Sequence, residues 1–116
     1  MFVNDCLNIN EKGHLTIGGC DTVELAKEYG TPLYVLDENT IRTTCRSYVK
    51  SFKKFYNGNG MPLYASKALS CKELCRIANE EHLGLDVVSG GEIYTAQQAG
   101  FPMEKTHFHG NNKPAA

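Results

Sequence analysis

The feature that most restricts the fold of this sequence is a repeat of strand-like segments that end at Lys67, Val88 and His109, each 21 residues apart. A segment with helical periodicity follows each of the first two, and such a connection is too long for a hairpin turn. The strand-like segments are mostly apolar, as expected of parallel strands covered on both faces. The repeat therefore predicts an α/β fold with parallel strands at residues 63–67, 85–88 and 106–109.

The two helices of the repeat are predicted from the residues at their amino-terminal ends. Ser70 with Glu73, and Ser89 with Glu92, match the capping box, in which a hydroxyl and a carboxylate three residues apart satisfy free backbone amides. Gly100 then ends the second helix. We therefore expect each strand of the repeat to lead into a capped helix.

The first 37 residues do not share this repeat. Two short segments in which apolar and polar residues alternate flank a turn, at residues 7–9 and 15–17. This pattern predicts a β-hairpin. A short helix is predicted between Asp21 and Gly30, and a short apolar strand at 33–36.

A longer amphipathic helix is predicted from Asp37 to about Tyr56. Its apolar residues recur at steps of three and four, and its other face is rich in Lys and Arg. Such a basic face could meet a membrane or a partner, but a solvated helix side is the favoured interpretation. We expect residues 1–37 and 38–116 to form two separate domains.

The length of the chain decides whether the repeat could form a closed barrel. A (β/α)₈ barrel needs roughly 250 residues, whereas this sequence has 116 and its third strand has no helix behind it. We therefore expect these residues to be the first part of a larger protein. The isolated piece is expected to be poorly folded or self-associating, and inactive.

Charge and composition exclude several classes of protein. Twelve Lys and Arg residues against 13 Asp and Glu give a net charge of −1, so no basic field is available to hold nucleic acid. No apolar stretch approaches the roughly 20 residues that span a bilayer, and the first residues do not resemble a signal peptide. These features predict a cytoplasmic protein that binds neither nucleic acid nor membrane.

The five cysteines are interpreted as reduced thiols rather than as disulfides or metal ligands. Their number is odd and no Cys-x-x-Cys pair occurs. Cys71 and Cys75 would share a helix face, and three histidines follow them, but free cysteines are commonly small buried apolar residues. We therefore predict no metal site.

Lys67 is the first candidate for chemistry. Strand alternation places it on the same face as Leu63 and Ala65, at the carboxyl end of a parallel strand, where active sites of α/β proteins form. Small neighbours such as Ala65 leave room beside it. A sheltered lysine amine loses proton affinity and becomes a nucleophile toward aldehydes. The alternative is a lysine that extends from the strand end into water.

Asp86 and His109 are the other candidates. Asp86 lies in an apolar strand and needs a partner, which could be Lys67 or a nearby loop. His107 and His109 share a strand face and could act as ligands, acid–base groups or stacking partners. The helix start at 89–91 could bind an anion through its amides, although a plain capping box is favoured.

Taken together, several of these segments resemble the amino-terminal part of the diaminopimelate decarboxylase family. The matching segments are residues 31–37, 64–68, 85–92 and 107–113. They occur in the order and at the spacing found in the family, and the resemblance extends from residue 5 to residue 113.

The resemblance implies an alanine-racemase-like fold, in which a (β/α)₈ barrel that binds pyridoxal 5'-phosphate is paired with a β-rich domain. It implies that residues 1–37 contribute to the β-rich domain and that residues 38–116 begin the barrel. It also implies that Lys67 forms the covalent imine with the cofactor, that Asp86 lies close to this lysine, and that His109 and Ala65 line the cofactor site.

The implied reaction is the decarboxylation of meso-2,6-diaminoheptanedioate to L-lysine, the last step of lysine biosynthesis, by a homodimer. In the family, the glycine-rich phosphate loop and the substrate-binding groups come from sequence beyond residue 113. The alternatives are a related decarboxylase of a basic amino acid or polyamine precursor, a non-catalytic pyridoxal-phosphate carrier, or an interaction fragment without cofactor.

Overall fold

The computed structural model describes Phe2, residues 4–110 and Lys113. Residues 111 and 112, which belong to one of the matching segments, lie outside this range. The chain divides into two compact units, Met1–Thr43 and Thr44–Ala116.

The first unit contains a three-stranded antiparallel sheet with strands β1 (Leu7–Ile9), β2 (Leu15–Ile17) and β3 (Cys20–Asp21). Leu7 pairs with Ile17 and Ile9 with Leu15, which confirms the predicted hairpin. The short third strand was not predicted, because a strand of two residues is too short to show alternating apolar and polar residues.

Helix α1 (Thr22–Tyr29) follows directly. The carboxylate of Asp21 caps it by accepting a hydrogen bond from the Val23 amide at 2.9 Å. Gly30 ends it with a φ of 81°, in the left-handed region that glycine adopts easily. Both predicted ends of this helix are therefore confirmed.

The predicted strand at residues 33–36 is wrong. The segment has no strand pairing, and the Tyr34 side chain is 96% exposed. An apolar run forms a strand only where a neighbouring backbone offers hydrogen-bond partners, and no strand in the described part of the chain lies in that position.

Helix α2 (Glu38–Tyr56) begins where predicted. The Asp37 carboxylate accepts a hydrogen bond from the Thr40 amide at 2.8 Å, which caps the first turn. On its basic face, Arg46 donates two hydrogen bonds to the buried carboxylate of Glu81, at 2.7 and 2.8 Å. This face is therefore partly used in packing.

The second unit contains a parallel sheet in the order β4 (Leu63–Ala65), β5 (Gly84–Val87) and β6 (Thr106–Phe108). Helices α3 (Lys72–Glu80) and α4 (Gly90–Gln98) connect these strands. The predicted α/β arrangement is confirmed, but each strand ends before the predicted residue. β4 stops at Ala65, and a 3₁₀ turn, Ser66–Ala68, follows it.

The two faces of this sheet differ in chemistry. Leu85 and Val87 are fully buried and pack with residues of the connecting helices, including Cys75 and Ala96. Asp86, between them, points to the opposite face, because side chains alternate along a strand. The register pairs Asp86 with Ala65 on one side and with His107 on the other. The core therefore lies on the helix side, and Ala65, Asp86 and His107 share the other face.

The second capping box is confirmed and the first is wrong. The Ser89 hydroxyl accepts a hydrogen bond from the Glu92 amide at 3.2 Å and caps α4. In contrast, α3 begins after Cys71, without a side-chain cap. The carboxylate of Glu73 accepts a hydrogen bond from Arg76 at 2.9 Å, one turn further along the helix. The Glu73 carboxylate, which a capping box with Ser70 would require, is thus paired with Arg76 instead.

Two further observations concern the described residues as a set. No helix among them combines the length and the hydropathy needed to cross a bilayer. Over the same part of the chain, His, Cys, Asp and Glu side chains do not gather into a group of three or more that could hold a metal ion.

Candidate functional site

The candidate residues of the sequence lie at one edge of the parallel sheet. Lys67 lies in the turn that follows β4, Asp86 lies in β5, and His109 comes directly after β6. The carboxyl ends of parallel strands lie along the same edge, so the fold brings these segments to neighbouring positions. This edge is the candidate site.

The Lys67 side chain is exposed. Among the residues that the structure describes, its amine has no hydrogen-bond or ion-pair partner. The described residues therefore do not shelter this lysine, although strand alternation predicts that it shares a face with Leu63 and Ala65. The reason is local: the strand ends at Ala65, and the 3₁₀ turn changes the direction in which Lys67 projects.

Asp86 has a partner that the sequence did not predict. The Nδ1 atom of His109 donates a hydrogen bond to the Oδ1 atom of Asp86. The Asp86 side chain is 26% exposed and that of His109 57%. Neither Lys67 nor a loop amide pairs with this carboxylate in the described part of the chain.

His109 is placed by its backbone as well as by its side chain. Its amide donates to the Val87 carbonyl at 3.1 Å, which extends the β5–β6 ladder by one residue. A carboxylate can only accept hydrogen bonds, so Nδ1 carries the proton in this pair. The Nε2 atom is then the ring nitrogen left to meet a ligand.

Ala65 and His107 complete the open face of the sheet. Ala65 is partly buried and is the register partner of Asp86, so its methyl group leaves space beside the carboxylate. His107 is exposed and is the register partner of Asp86 on the other side. The sequence placed both histidines on one face, but only His109 contacts Asp86.

Sequence reasoning missed the two most buried polar residues at this edge. Ser66 is 1% exposed and Glu92 is 8% exposed. The Ser66 hydroxyl donates to the Oε1 atom of Glu92 at 2.6 Å. The sequence pattern marks Glu92 only as a capping residue, and capping residues usually face water at a helix end. A serine within an apolar strand segment was the one available signal for a buried polar contact.

The Glu92 carboxylate is held by three hydrogen-bond donors. Besides Ser66, the Ser89 hydroxyl donates at 2.8 Å and the Val88 amide at 3.0 Å, both to Oε2. Burial alone would raise the pKa of Glu92, but these hydrogen bonds outweigh it and lower the pKa below its ordinary value. The group is therefore a carboxylate at neutral pH.

These residues define what the edge can do chemically. An accessible primary amine can attack a carbonyl carbon once it has lost its proton. A carboxylate that accepts a hydrogen bond from an imidazole can hold that ring in one orientation. The arrangement suits covalent chemistry on an aldehyde or a ketone.

The chain matches a family model described as the pyridoxal-binding domain of pyridoxal-dependent decarboxylases, over residues 38–116. It is also similar to the diaminopimelate decarboxylase of Bacillus methanolicus, with 53% identity over all of this chain and 27% of that protein. The enzyme of the same name from Bacillus subtilis is 52% identical over 97% of this chain and 26% of that protein.

Solved structures give the same picture. The backbone resembles that of a diaminopimelate decarboxylase from M. jannaschii in complex with L-lysine, with a TM-score of 0.85 and 38% identity. The match covers 98% of this chain and 27% of that one. The chain thus spans about a quarter of the length of the relatives that it matches.

Proposed function

Since the chain belongs to the pyridoxal-dependent decarboxylase family, we propose that it supplies the lysine-bearing part of a diaminopimelate decarboxylase. The proposed reaction is the decarboxylation of meso-2,6-diaminoheptanedioate to L-lysine. The observation that carries the proposal is the accessible Lys67 amine at the strand-end edge that also carries the Asp86–His109 pair.

The fold proposed for the complete domain is a (β/α)₈ barrel that starts with β4. The parallel order β4–β5–β6, with a helix in each connection, is the arrangement from which such a barrel is built. We further propose that residues 1–37 contribute to a β-rich domain and that the barrel domain begins at residue 38. The antiparallel sheet of the first unit and the start of the family match at residue 38 support this division.

The residues at the edge fit pyridoxal 5'-phosphate. Lys67 offers an amine that can condense with an aldehyde, and Asp86 and His109 offer a carboxylate and an imidazole on the adjacent open face. When bound, the cofactor supplies that aldehyde and a conjugated ring that accepts the electron pair left as carbon dioxide departs. Ala65, beside Asp86, leaves space for a planar ring.

The roles proposed for this chain's own residues follow from their positions. Lys67 binds the cofactor covalently and gives way to the substrate amine. Asp86 holds the ring of His109 through Nδ1, so that Nε2 faces the cofactor side of the sheet. A fixed imidazole at this position can orient the bound ring and exclude water from one side of it.

The substrate, the assembly and the location of the protein are also part of the proposal. A diamino diacid substrate is supported by the names of the relatives, and a neighbouring structure is a complex with L-lysine. A homodimer in the cytoplasm is what the resemblance to the family implies.

The test uses the full-length product of the natural gene, with pyridoxal phosphate added. Borohydride reduction should attach a pyridoxyl group to Lys67, located by peptide mass spectrometry, and the protein should release carbon dioxide from meso-2,6-diaminoheptanedioate. A Lys67→Ala variant should do neither. Modification of a different lysine, or none at all, would contradict the proposal.

Additional measurements in the same experiment distinguish this proposal from the alternative functions. Faster turnover of ornithine, arginine or lysine would indicate a related decarboxylase. A trapped adduct at Lys67 without carbon dioxide release from any of these substrates would indicate a cofactor carrier. The 116-residue chain alone is expected to release no carbon dioxide, because its described residues supply three parallel strands, whereas a closed (β/α)₈ barrel needs eight.

A further inference from the structure

The contact between Ser66 and Glu92 links two strand ends that carry different parts of the candidate site. Ser66 is the residue immediately before Lys67, in the turn after β4. Glu92 lies in the first turn of α4, which follows β5. The 2.6 Å hydrogen bond between them joins positions 26 residues apart.

The geometry favours an ionic hydrogen bond to Glu92 over a neutral one. The Ser66 hydroxyl also lies 3.2 Å from the backbone carbonyl of Asp86. It has only one proton, and the shorter contact to a charged acceptor is the stronger one. Ser66 therefore donates to Glu92, and this hydrogen bond fixes its position relative to α4.

The three donors to Glu92 do not have the same consequences. The Val88 amide and the Ser89 hydroxyl lie in the segment that joins β5 to α4, so these contacts organise that segment internally. Ser66 is the donor that comes from the β4 side. Of the three hydrogen bonds, only the one from Ser66 can fix the position of the turn that contains Lys67.

We propose that Glu92 is a positioning residue that holds Ser66 and thereby fixes the turn from which Lys67 presents its amine. This inference rests on the proposed function, because it concerns the lysine that would bind the cofactor. A buried charge with a full set of donors resists displacement, since moving it would leave the carboxylate unpaired. The exposed Lys67 is thus anchored through the buried residue next to it.

The test compares two variants that each remove one hydroxyl donor from the same carboxylate, Ser66→Ala and Ser89→Ala. Both variants are made in the full-length product of the natural gene. The first readout is the rate at which acetic anhydride acetylates Lys67 in the cofactor-free protein, followed by peptide mass spectrometry. The second is the rate at which pyridoxal phosphate becomes borohydride-trappable at Lys67. The third is the affinity for 4'-deoxypyridoxine 5'-phosphate, which has no aldehyde.

We expect Ser66→Ala to slow the trapping of pyridoxal phosphate at Lys67 by about tenfold, since a displaced nucleophile loses much of its reactivity. Its acetylation rate should also differ from that of the wild type, while the affinity for the aldehyde-free analogue stays within about twofold. Ser89→Ala should keep both Lys67 rates within about twofold. Glu92→Gln, which keeps the shape but not the charge, should behave as Ser66→Ala does, provided that circular dichroism shows it is folded.

Equal Lys67 rates in the wild type and Ser66→Ala would overturn the inference, as would an equal loss in Ser66→Ala and Ser89→Ala. These results differ from a failure of the proposed function, in which the wild-type protein itself would trap no pyridoxal phosphate at Lys67. A loss of affinity for the aldehyde-free analogue that matches the loss in trapping would also count against positioning, because it would mean that the whole site has collapsed.

Discussion

His109 and Asp86 form a hydrogen-bonded pair across two parallel strands, although 23 residues separate them in the chain. The pair requires the β5–β6 register, in which Asp86 lies opposite His107 and the His109 amide binds the Val87 carbonyl. It places an imidazole of fixed orientation at the same sheet edge as Lys67.

Removing either partner of this pair should lower kcat/KM for the proposed decarboxylation. A hydrogen bond to a charged group contributes roughly 1.5–3 kcal/mol, so Asp86→Asn is expected to cost about one to two orders of magnitude. Asp86→Asn and His109→Asn should be non-additive in a double-mutant cycle, because each removes the same hydrogen bond between an imidazole and a charged carboxylate. His107→Asn is the matched control, and its effect should add to that of Asp86→Asn. Additive losses for Asp86 and His109 would contradict the pairing.

Gly84→Ala should destabilise the second unit. A methyl group at this position would lie 2.6 Å from the Lys105 carbonyl oxygen and 2.5 Å from a methyl carbon of Leu63. The backbone carbonyl cannot move without disturbing the sheet, so the expected loss is roughly 1–3 kcal/mol in the free energy of unfolding. Urea denaturation of the full-length wild-type and variant proteins measures this loss.

Gly90→Ala is the control for this substitution. A methyl group at Gly90 would meet no atom within 4 Å, and its φ is not in the left-handed region. Replacing a helical glycine by alanine is expected to leave stability unchanged or to raise it by up to about 1 kcal/mol. If both variants lost the same stability, close packing around Gly84 would not be the cause.

The thiols of this protein should differ in their reactivity. Burial raises the pKa of Cys75 above its ordinary value, and its side chain lies in the core of the second unit. The thiolate is the species that reacts. Iodoacetamide at pH 8 should therefore modify Cys75 at least about tenfold more slowly than the exposed Cys20. Peptide mass spectrometry over time gives both rates, and a Cys75 rate equal to that of Cys20 would contradict the burial.

Glu92 should make the protein sensitive to acid. Its folded-state pKa is lower than the ordinary value of 4.5, so the carboxylate contributes stability that is complete above about pH 4.5. That contribution is lost as the pH falls through the lower pKa of the folded state. Glu92→Gln removes the titrating group, so its free energy of unfolding should fall less than that of the wild type between pH 7 and pH 3. A variant with the full acid dependence of the wild type would show that another carboxylate is responsible.

Much of the fold could be predicted because its signals are local. The strand and helix patterns within the repeat, the cap at Asp21 and the box at Ser89 each depend on residues within a few positions of one another, and the structure confirms them. The resemblance that identified the family likewise rests on contiguous segments. Strand ends were less well predicted, because alternation along the chain does not mark where the backbone changes from strand to turn. β4 ends at Ala65, two residues before Lys67, where the 3₁₀ turn Ser66–Ala68 begins.

The residue types at the candidate site were determined by the sequence itself: an amine, a carboxylate and an imidazole at the ends of three successive strands. Which of them meet was decided only by the tertiary structure. Asp86 pairs with His109 rather than with Lys67, and Ser66 pairs with Glu92, because the register and the helix crossovers set these distances across more than 20 residues. Periodicity along a chain reports which face a residue occupies, but a hydrogen bond between strands depends on how far each strand has shifted past its neighbour.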